Sequence, residues 1–140
     1  MLQFHKENHA LATLAVQARE TSRPLLFDNH LQLRGRGVAL NQDPELVSNN
    51  PAGAPRQGTA SAPEVPLQSL AFSGIHMISP RLLPMLTEEG IFSIIPAYLR
   101  LAAQGQPILA FRADTYYWRD LGRPSDLTQA AHDFQRNALL

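Results

Sequence analysis

"TYYWRDLGRPSDLTQA", residues 115–130, decides how this chain is read. The aromatic-rich run 115–120 predicts a strand, because aromatic residues suit a pleated, half-buried surface. Gly122 and Pro124 follow, and proline is pre-set for the first turn of a helix. Leu127, Ala130, Ala131 and Phe134 then recur at i, i+3, i+4 and i+7, which predicts an amphipathic helix starting at Pro124. A strand handing over directly to a helix is the building unit of α/β sheets. Asp120, at the junction, stands where open α/β sheets bind ligands.

The neighbouring segments extend the same alternation. "PILAFRA" (107–113) predicts another strand. Before it, Ser93 can cap a helix that tolerates Pro96 in its first turn, with Ile95, Leu99 and Ala102 on one face and Gly105 closing it. "LAFSGIHMI" (70–78) reads as a buried-type strand, with Ser79 and Pro80 as N-cap and first residue of a short helix "PRLLPML". "PLLFDNHLQLRG" (24–35) predicts a hairpin turning at Asp28-Asn29. "LATLAV" (11–16) suits a strand covered on both faces. "MLQFHKENHA" (1–10) reads as a short amphipathic helix anchored by Leu2 and Phe4. Residues 43–66 hold five of the eleven prolines and little hydrophobic periodicity, which predicts a surface loop.

The totals bound the function. At 140 residues and 44% hydrophobic composition the chain suits one domain with a real core. Lys+Arg and Asp+Glu each number 12, so no global field for nucleic acid or a membrane surface exists. No apolar run is long enough for a spanning helix, and the first ten residues lack the apolar core of a secretory signal. The absence of cysteine excludes thiol catalysis, disulfides and Cys-ligated zinc, and it fits a cytoplasmic setting.

Several small constellations carry two readings. "HKENH" (5–9) places His5 and His9 four apart, a zinc-compatible spacing, but Lys6 stands where a metalloprotease has glutamate, so it reads as a solvated helix face. "GRG" (35–37) lacks the strand–turn–helix setting of a dinucleotide loop and reads as a turn ending the hairpin. No P-loop motif occurs, and Ser73 and Ser79 lack the G-x-S-x-G elbow. Gly74, inside "FSGIHM", marks either close approach of a ligand or a bulge. His76 reads as a packed histidine. Asp120 can hold Mg²⁺, which prefers oxygen ligands, or it can cap the turn before Pro124.

In order and spacing, three segments resemble the C-terminal half of the sugar-1-phosphate nucleotidyltransferase (nucleotide-sugar pyrophosphorylase) family, its mannose-1-phosphate guanylyltransferase-like or muramic-acid-phosphate uridylyltransferase-like group in particular. "ALATLAVQARETSRPLLFD" resembles its central strand and following hairpin. "FSGIHMISPRLLPML" is similar to the N/S-x-G-I-x-x-x-x-P element lining the sugar pocket. "YYWRDLGRPSDLTQA" is similar to its W-x-D-x-G-T-P junction. The resemblance implies a partial doubly wound, Rossmann-like α/β sheet with flanking helices. It also implies Mg²⁺-dependent attack of a sugar 1-phosphate on the α-phosphorus of an NTP, with pyrophosphate leaving. By the same resemblance Ser73 and Gly74 contact the sugar, and Asp120 is the second of two metal aspartates.

The family's Gly-rich triphosphate loop, its first metal aspartate and its E-K-P element are not recognisable, and Arg123 replaces a threonine. The expectation is therefore the C-terminal portion of such a domain, without its nucleotide-binding half and inactive alone. It would be a truncated product or a half completed by a partner chain. The alternative is a non-catalytic sugar-phosphate-binding or regulatory module. Half of a sheet is also expected to expose a strand edge and an apolar face.

Overall fold

In a computed structural model, residues 1–37, 45–46 and 66–136 are described. The chain is mixed α/β: a mixed sheet flanked by helices. Helix α1 (Leu2–Glu7) leads into β1 (Ala12–Gln17), followed by β2 (Leu25–Phe27), β3 (Leu33–Arg36) and the two-residue β4 (Glu45–Leu46). Strand β5 (Gln68–Ile78) precedes a 3₁₀ helix (Pro80–Met85), then α2 (Ile94–Ala103), β6 (Ile108–Arg112) and α3 (Pro124–Gln135). The strand order is β4-β3-β2-β5-β1-β6, with β1 and β6 parallel and the other neighbours antiparallel.

β1 is buried along its whole length, as its near-continuous apolar run suits, and its polar Thr13 and Gln17 are hydrogen-bonded. Its residues alternate between two environments. Leu14 and Val16 join the core with Phe27, Leu33, Leu70, Leu82, Tyr98, Leu101 and Ile108. Thr13, Ala15 and Gln17 face the other way, where His5 Nδ1 of α1 lies 2.8 Å from Thr13 Oγ1. Full burial of each large apolar side chain contributes roughly 1.5–3 kcal/mol, so this layer anchors the molecule.

The 24–35 hairpin forms as expected, and Asp28 is the reason. Its Oδ1 accepts from the His30 and Gln32 amides (2.8 and 3.0 Å), and its Oδ2 pairs with Arg34 at 2.7 Å. Ser79 and Pro80 start the 3₁₀ helix, with Ser79 Oγ accepting from Arg81 N. Gly105, at φ +78°, ends α2 in a left-handed conformation.

Elsewhere the chain departs from its sequence pattern. Residues 115–120 form a turn and an irregular segment, not a strand. β5 is buried only at Leu70, Ala71 and Ser73, and it opens to solvent from Gly74 onward. Gly35 and Arg36 belong to β3, so "GRG" is not a turn; Gly37 N bonds Pro24 O at 2.8 Å, and a Cβ on Gly37 would meet Pro24 at 2.8 Å. The buried face of α2 is Ala97, Tyr98, Leu101 and Ala102, with Ile95 and Leu99 flanking it. The stripe on α3 is exposed, with Leu127 and Phe134 mostly in solvent. Leu2 is half-exposed, whereas Phe4 packs edge-on against Phe111.

The free side of β6 is partly covered by the hairpin. Ala110 N donates to Leu31 O at 2.8 Å, Gln32 bridges Leu109, and Gln32 Nε2 reaches Gln106 O at 2.9 Å. Leu31 adopts φ +60° to make this contact. Of the 43–66 loop, only Glu45–Leu46 and Pro66 fall within the described residues.

Candidate functional site

The carboxyl ends of β1 and β6 lie side by side because the two strands are parallel and in register, Ala12 with Ile108 through Val16 with Arg112. Beyond them the chain turns sharply. Gln17 Nε2 donates to both Ala113 O and Tyr116 O at 2.9 Å, and Ala113 N donates to Val16 O at 2.8 Å. Asp114 completes the corner: its Oδ1 accepts from Ala18 N at 2.7 Å and its Oδ2 from Arg112 Nε at 2.7 Å. Those bonds, Arg112 first, hold the Asp114 carboxyl below the usual carboxylate range.

This corner sets the aromatic run over the sheet. Ala15, Gln17, Ser73, Phe111 and the aromatics at 116–118 line a cavity of about 230 Å³, which Met1, Ile75 and Ala113 complete. Trp118 is backed by Arg19, whose guanidinium carbon sits 4.2 Å from the ring centroid. Arg19 is itself tied to Phe72 O at 3.2 Å. The result is an apolar, aromatic-walled pocket with few polar groups, the usual composition of a small-ligand site.

One of those polar groups lacks a partner. Ser73 is 6% exposed, and its Oγ is buried without any hydrogen bond among the described residues. A buried hydroxyl left unpaired costs about 1–3 kcal/mol, so this position invites a ligand group or water. A bulge sets its orientation. Leu14 pairs with His76 but Val16 pairs with Phe72, so Ser73, Gly74 and Ile75 together face Ala15. Gly74 sits at φ +76° within the bulge, and nothing lies within 4 Å of where its Cβ would be. Backbone conformation therefore accounts for the glycine.

His76 is indeed packed. Its ring stands edge-on to Tyr98 (5.8 Å), lies 6.0 Å from Phe72, and its Nδ1 is 2.8 Å from Tyr98 Oη. Burial lowers the His76 pKa and pushes the Tyr98 phenol up to about 12.

Asp120 is exposed and lies two residues past the cavity wall. Its Oδ1 accepts from Gly122 N at 2.9 Å, a local turn bond. A Cβ on Gly122 would come 3.2 Å from that same oxygen, so glycine keeps the turn open. Arg123 occupies the N-cap position of α3 without a side-chain capping bond. Among the described residues no three His, Asp or Glu side chains gather in a metal-holding arrangement. Asp120 offers one carboxylate, half-engaged by Gly122. Since Mg²⁺ is usually held by one or two carboxylates plus substrate phosphates, these residues do not make such a site by themselves.

Helix α3 is tied to the aromatic segment by a polar cluster. Asp133 Oδ2 accepts from Tyr117 Oη at 2.7 Å and Arg119 Nη2 at 3.0 Å, while its Oδ1 accepts from Gln129 at 2.9 Å. Ser73 and the 116–118 aromatics thus share one cavity, Gly74 shapes it, and Asp120 stands outside its lining. Gln17, Asp114 and Asp133 carry the corner without any sequence motif to flag them; the only signals were a glutamine ending an apolar run and an aspartate in a turn. Among the described residues no helix is long and apolar enough to cross a membrane. No protein-family model and no curated protein matches this chain.

Proposed function

We propose that the chain provides the sugar-phosphate side of a sugar-1-phosphate nucleotidyltransferase site. The observation that carries this reading is the unpaired, buried Ser73 hydroxyl in an aromatic-walled cavity at the carboxyl ends of two parallel strands. A hexose presents hydroxyls for hydrogen bonding and C–H faces for stacking, and the cavity offers one polar contact among aromatic faces. In this reading Ser73 and the backbone at Gly74 hold the sugar, and Trp118 with Tyr117 forms its wall. The parallel β1–β6 pair is then the portion of a doubly wound, Rossmann-like sheet that this chain contributes.

Asp120 would be one of two carboxylates for Mg²⁺, the other coming from a further stretch of polypeptide that also brings the NTP-binding loop. The lone carboxylate favours a second reading, a non-catalytic sugar-phosphate-binding module. Both readings share the sugar pocket and differ in turnover.

Titration with glucose 1-phosphate and mannose 1-phosphate, read by the fluorescence of Trp118, tests the pocket. The expected result is a saturable change that Ser73→Ala weakens while the fold persists. A folded chain with no saturable response to either sugar phosphate would overturn both readings. In a parallel assay with NTP, Mg²⁺ and hexose 1-phosphate, no pyrophosphate release is expected. Turnover by the purified chain would replace the incomplete-site reading with a complete one.

A further inference from the structure

The opposite end of the same strands carries a different kind of site. Where β1 begins and β5 ends, Ala12 pairs with Ile78, Leu11 O accepts from Ser79 N at 2.9 Å, and α1 packs alongside. A cleft of about 550 Å³ opens there, and His5, Lys6, His9 and Arg81 line it together with Ser79. It shares no lining residue with the aromatic cavity. It therefore does not depend on the sugar-pocket reading.

Two charged side chains, Lys6 and Arg81, and two imidazoles line the cleft, and no carboxylate does so among the described residues. The chain is neutral, with 12 basic and 12 acidic residues. Four arginines elsewhere have acidic partners, as Arg34 has Asp28 and Arg112 has Asp114, whereas Lys6 and Arg81 form no ion pair among the described residues. Lys6 and Arg81 carry the charge of the cleft, and burial, with proximity to Arg81 adding to it, lowers the His5 pKa.

The groups are also held in place. Arg81 Nη2 donates to His9 O at 3.0 Å and its Nε to Ser79 Oγ at 3.3 Å, which fixes the guanidinium while leaving other N–H groups unused. His9, at φ +47°, is in the left-handed region that non-glycine residues rarely adopt, and this conformation belongs to the turn that presents its carbonyl to Arg81. His5 Nδ1 is engaged by the buried Thr13 hydroxyl, so Nε2 is the nitrogen left for a ligand.

A metal cation does not suit this cleft. His5 and His9 are four apart in sequence, but His9 lies past the end of α1 in a left-handed conformation, Lys6 and Arg81 supply positive charge and, among the described residues, no third ligand accompanies the pair. An oxyanion satisfies every feature: it neutralises the cluster and accepts from a fixed guanidinium, an ammonium and imidazole N–H groups. We propose that this cleft binds a phosphoryl group, either free phosphate or the phosphate of a monoester.

The test is titration of the full chain with inorganic phosphate at constant ionic strength, following the five histidine ring signals by NMR. The expected result is saturable movement of the His5 and His9 signals, with those of His76 and His132 unmoved. Arg81→Gln and Lys6→Gln should each weaken binding roughly tenfold, the effect of losing one charge-assisted contact. Lys6 is exposed on α1, so its variant keeps the test valid if Arg81→Gln unfolds. Arg136→Gln, just past the end of α3 and outside the cleft lining, should change nothing. Methyl phosphate distinguishes the sources: comparable affinity points to a phosphomonoester, and much weaker binding points to the free ion. Equal movement in sodium chloride, or unchanged affinity in Lys6→Gln, would overturn the proposal.

Discussion

Gln17 Nε2 donates to the carbonyls of Ala113 and Tyr116, both at 2.9 Å, from a side chain almost fully buried at the end of β1. One amide thus closes the corner that sets three aromatic residues against the sheet. Gln17→Leu fills similar volume but leaves two carbonyls unpaired. It should cost about 1–3 kcal/mol and shift the Trp118 emission towards that of the unfolded chain. Denaturant unfolding followed by fluorescence and by circular dichroism checks both effects. An unchanged emission would mean that the aromatic run is held by its own packing.

The hairpin gives an acid-sensitive prediction. Burial pushes the Asp28 carboxyl up, but bonds from Gln32 N, Arg34 and His30 N outweigh that and hold it below its usual value. A carboxylate depressed in the folded state stabilises above its unfolded pKa, and the contribution fades as pH falls through the folded pKa. Stability should therefore drop from about pH 4 downward. Asp28→Asn should lower stability at neutral pH, by about 1–3 kcal/mol for the lost charged contact, and flatten that acid limb. Urea midpoints at a series of pH values report both.

Two histidines set a second limb. Burial lowers the pKa of both His5 and His76, and Arg81 adds to it at His5. The unfolded chain then takes up protons first, so stability should decline as pH falls below about 6.5. His76→Gln should remove part of that decline. In phosphate-free buffer the His5 part persists, and phosphate should reduce it if the cleft binds an anion. A thermal melt series from about pH 8 to about pH 5, spanning the histidine range, separates the two.

Gly74 isolates backbone strain from packing. Its φ of +76° disfavours a side chain, yet nothing lies within 4 Å of the place a Cβ would occupy. Gly74→Ala should thus cost about 1 kcal/mol through conformation alone. If sugar-phosphate affinity falls far more than stability, the residue also serves close approach of a ligand.

Much of the frame was legible in the sequence, because local rules decide it. The near-continuous apolar run at 11–16 suits a strand covered on both faces, and Asp28 writes its own turn. Ser79-Pro80 does the same for the 3₁₀ helix. What resisted reading depends on distant partners. The aromatics at 116–118 have strand propensity, but Gln17, Asp114 and Asp133 hold them in a corner, and no periodicity reveals such ties. The bulge at 73–75 was visible only as one glycine with two meanings. At the site, Ser73 and Gly74 came from resemblance, whereas the unpaired hydroxyl and the cavity around it emerged only from the fold.

Helix α3 supplies the last prediction. None of its residues is buried, and its apolar stripe of Leu127 and Phe134 faces solvent, so packing does not hold it. What holds it is Asp133, which joins Tyr117, Arg119 and Gln129. Those bonds, led by the one from Tyr117, keep its carboxyl below the usual range. Asp133→Ala should therefore release α3 while leaving the sheet intact. Hydrogen exchange should accelerate across residues 124–135 with little change in β1 or β5, because helices this short are marginal without tertiary support. Equal protection in the variant would show that the helix is stabilised by something other than this cluster.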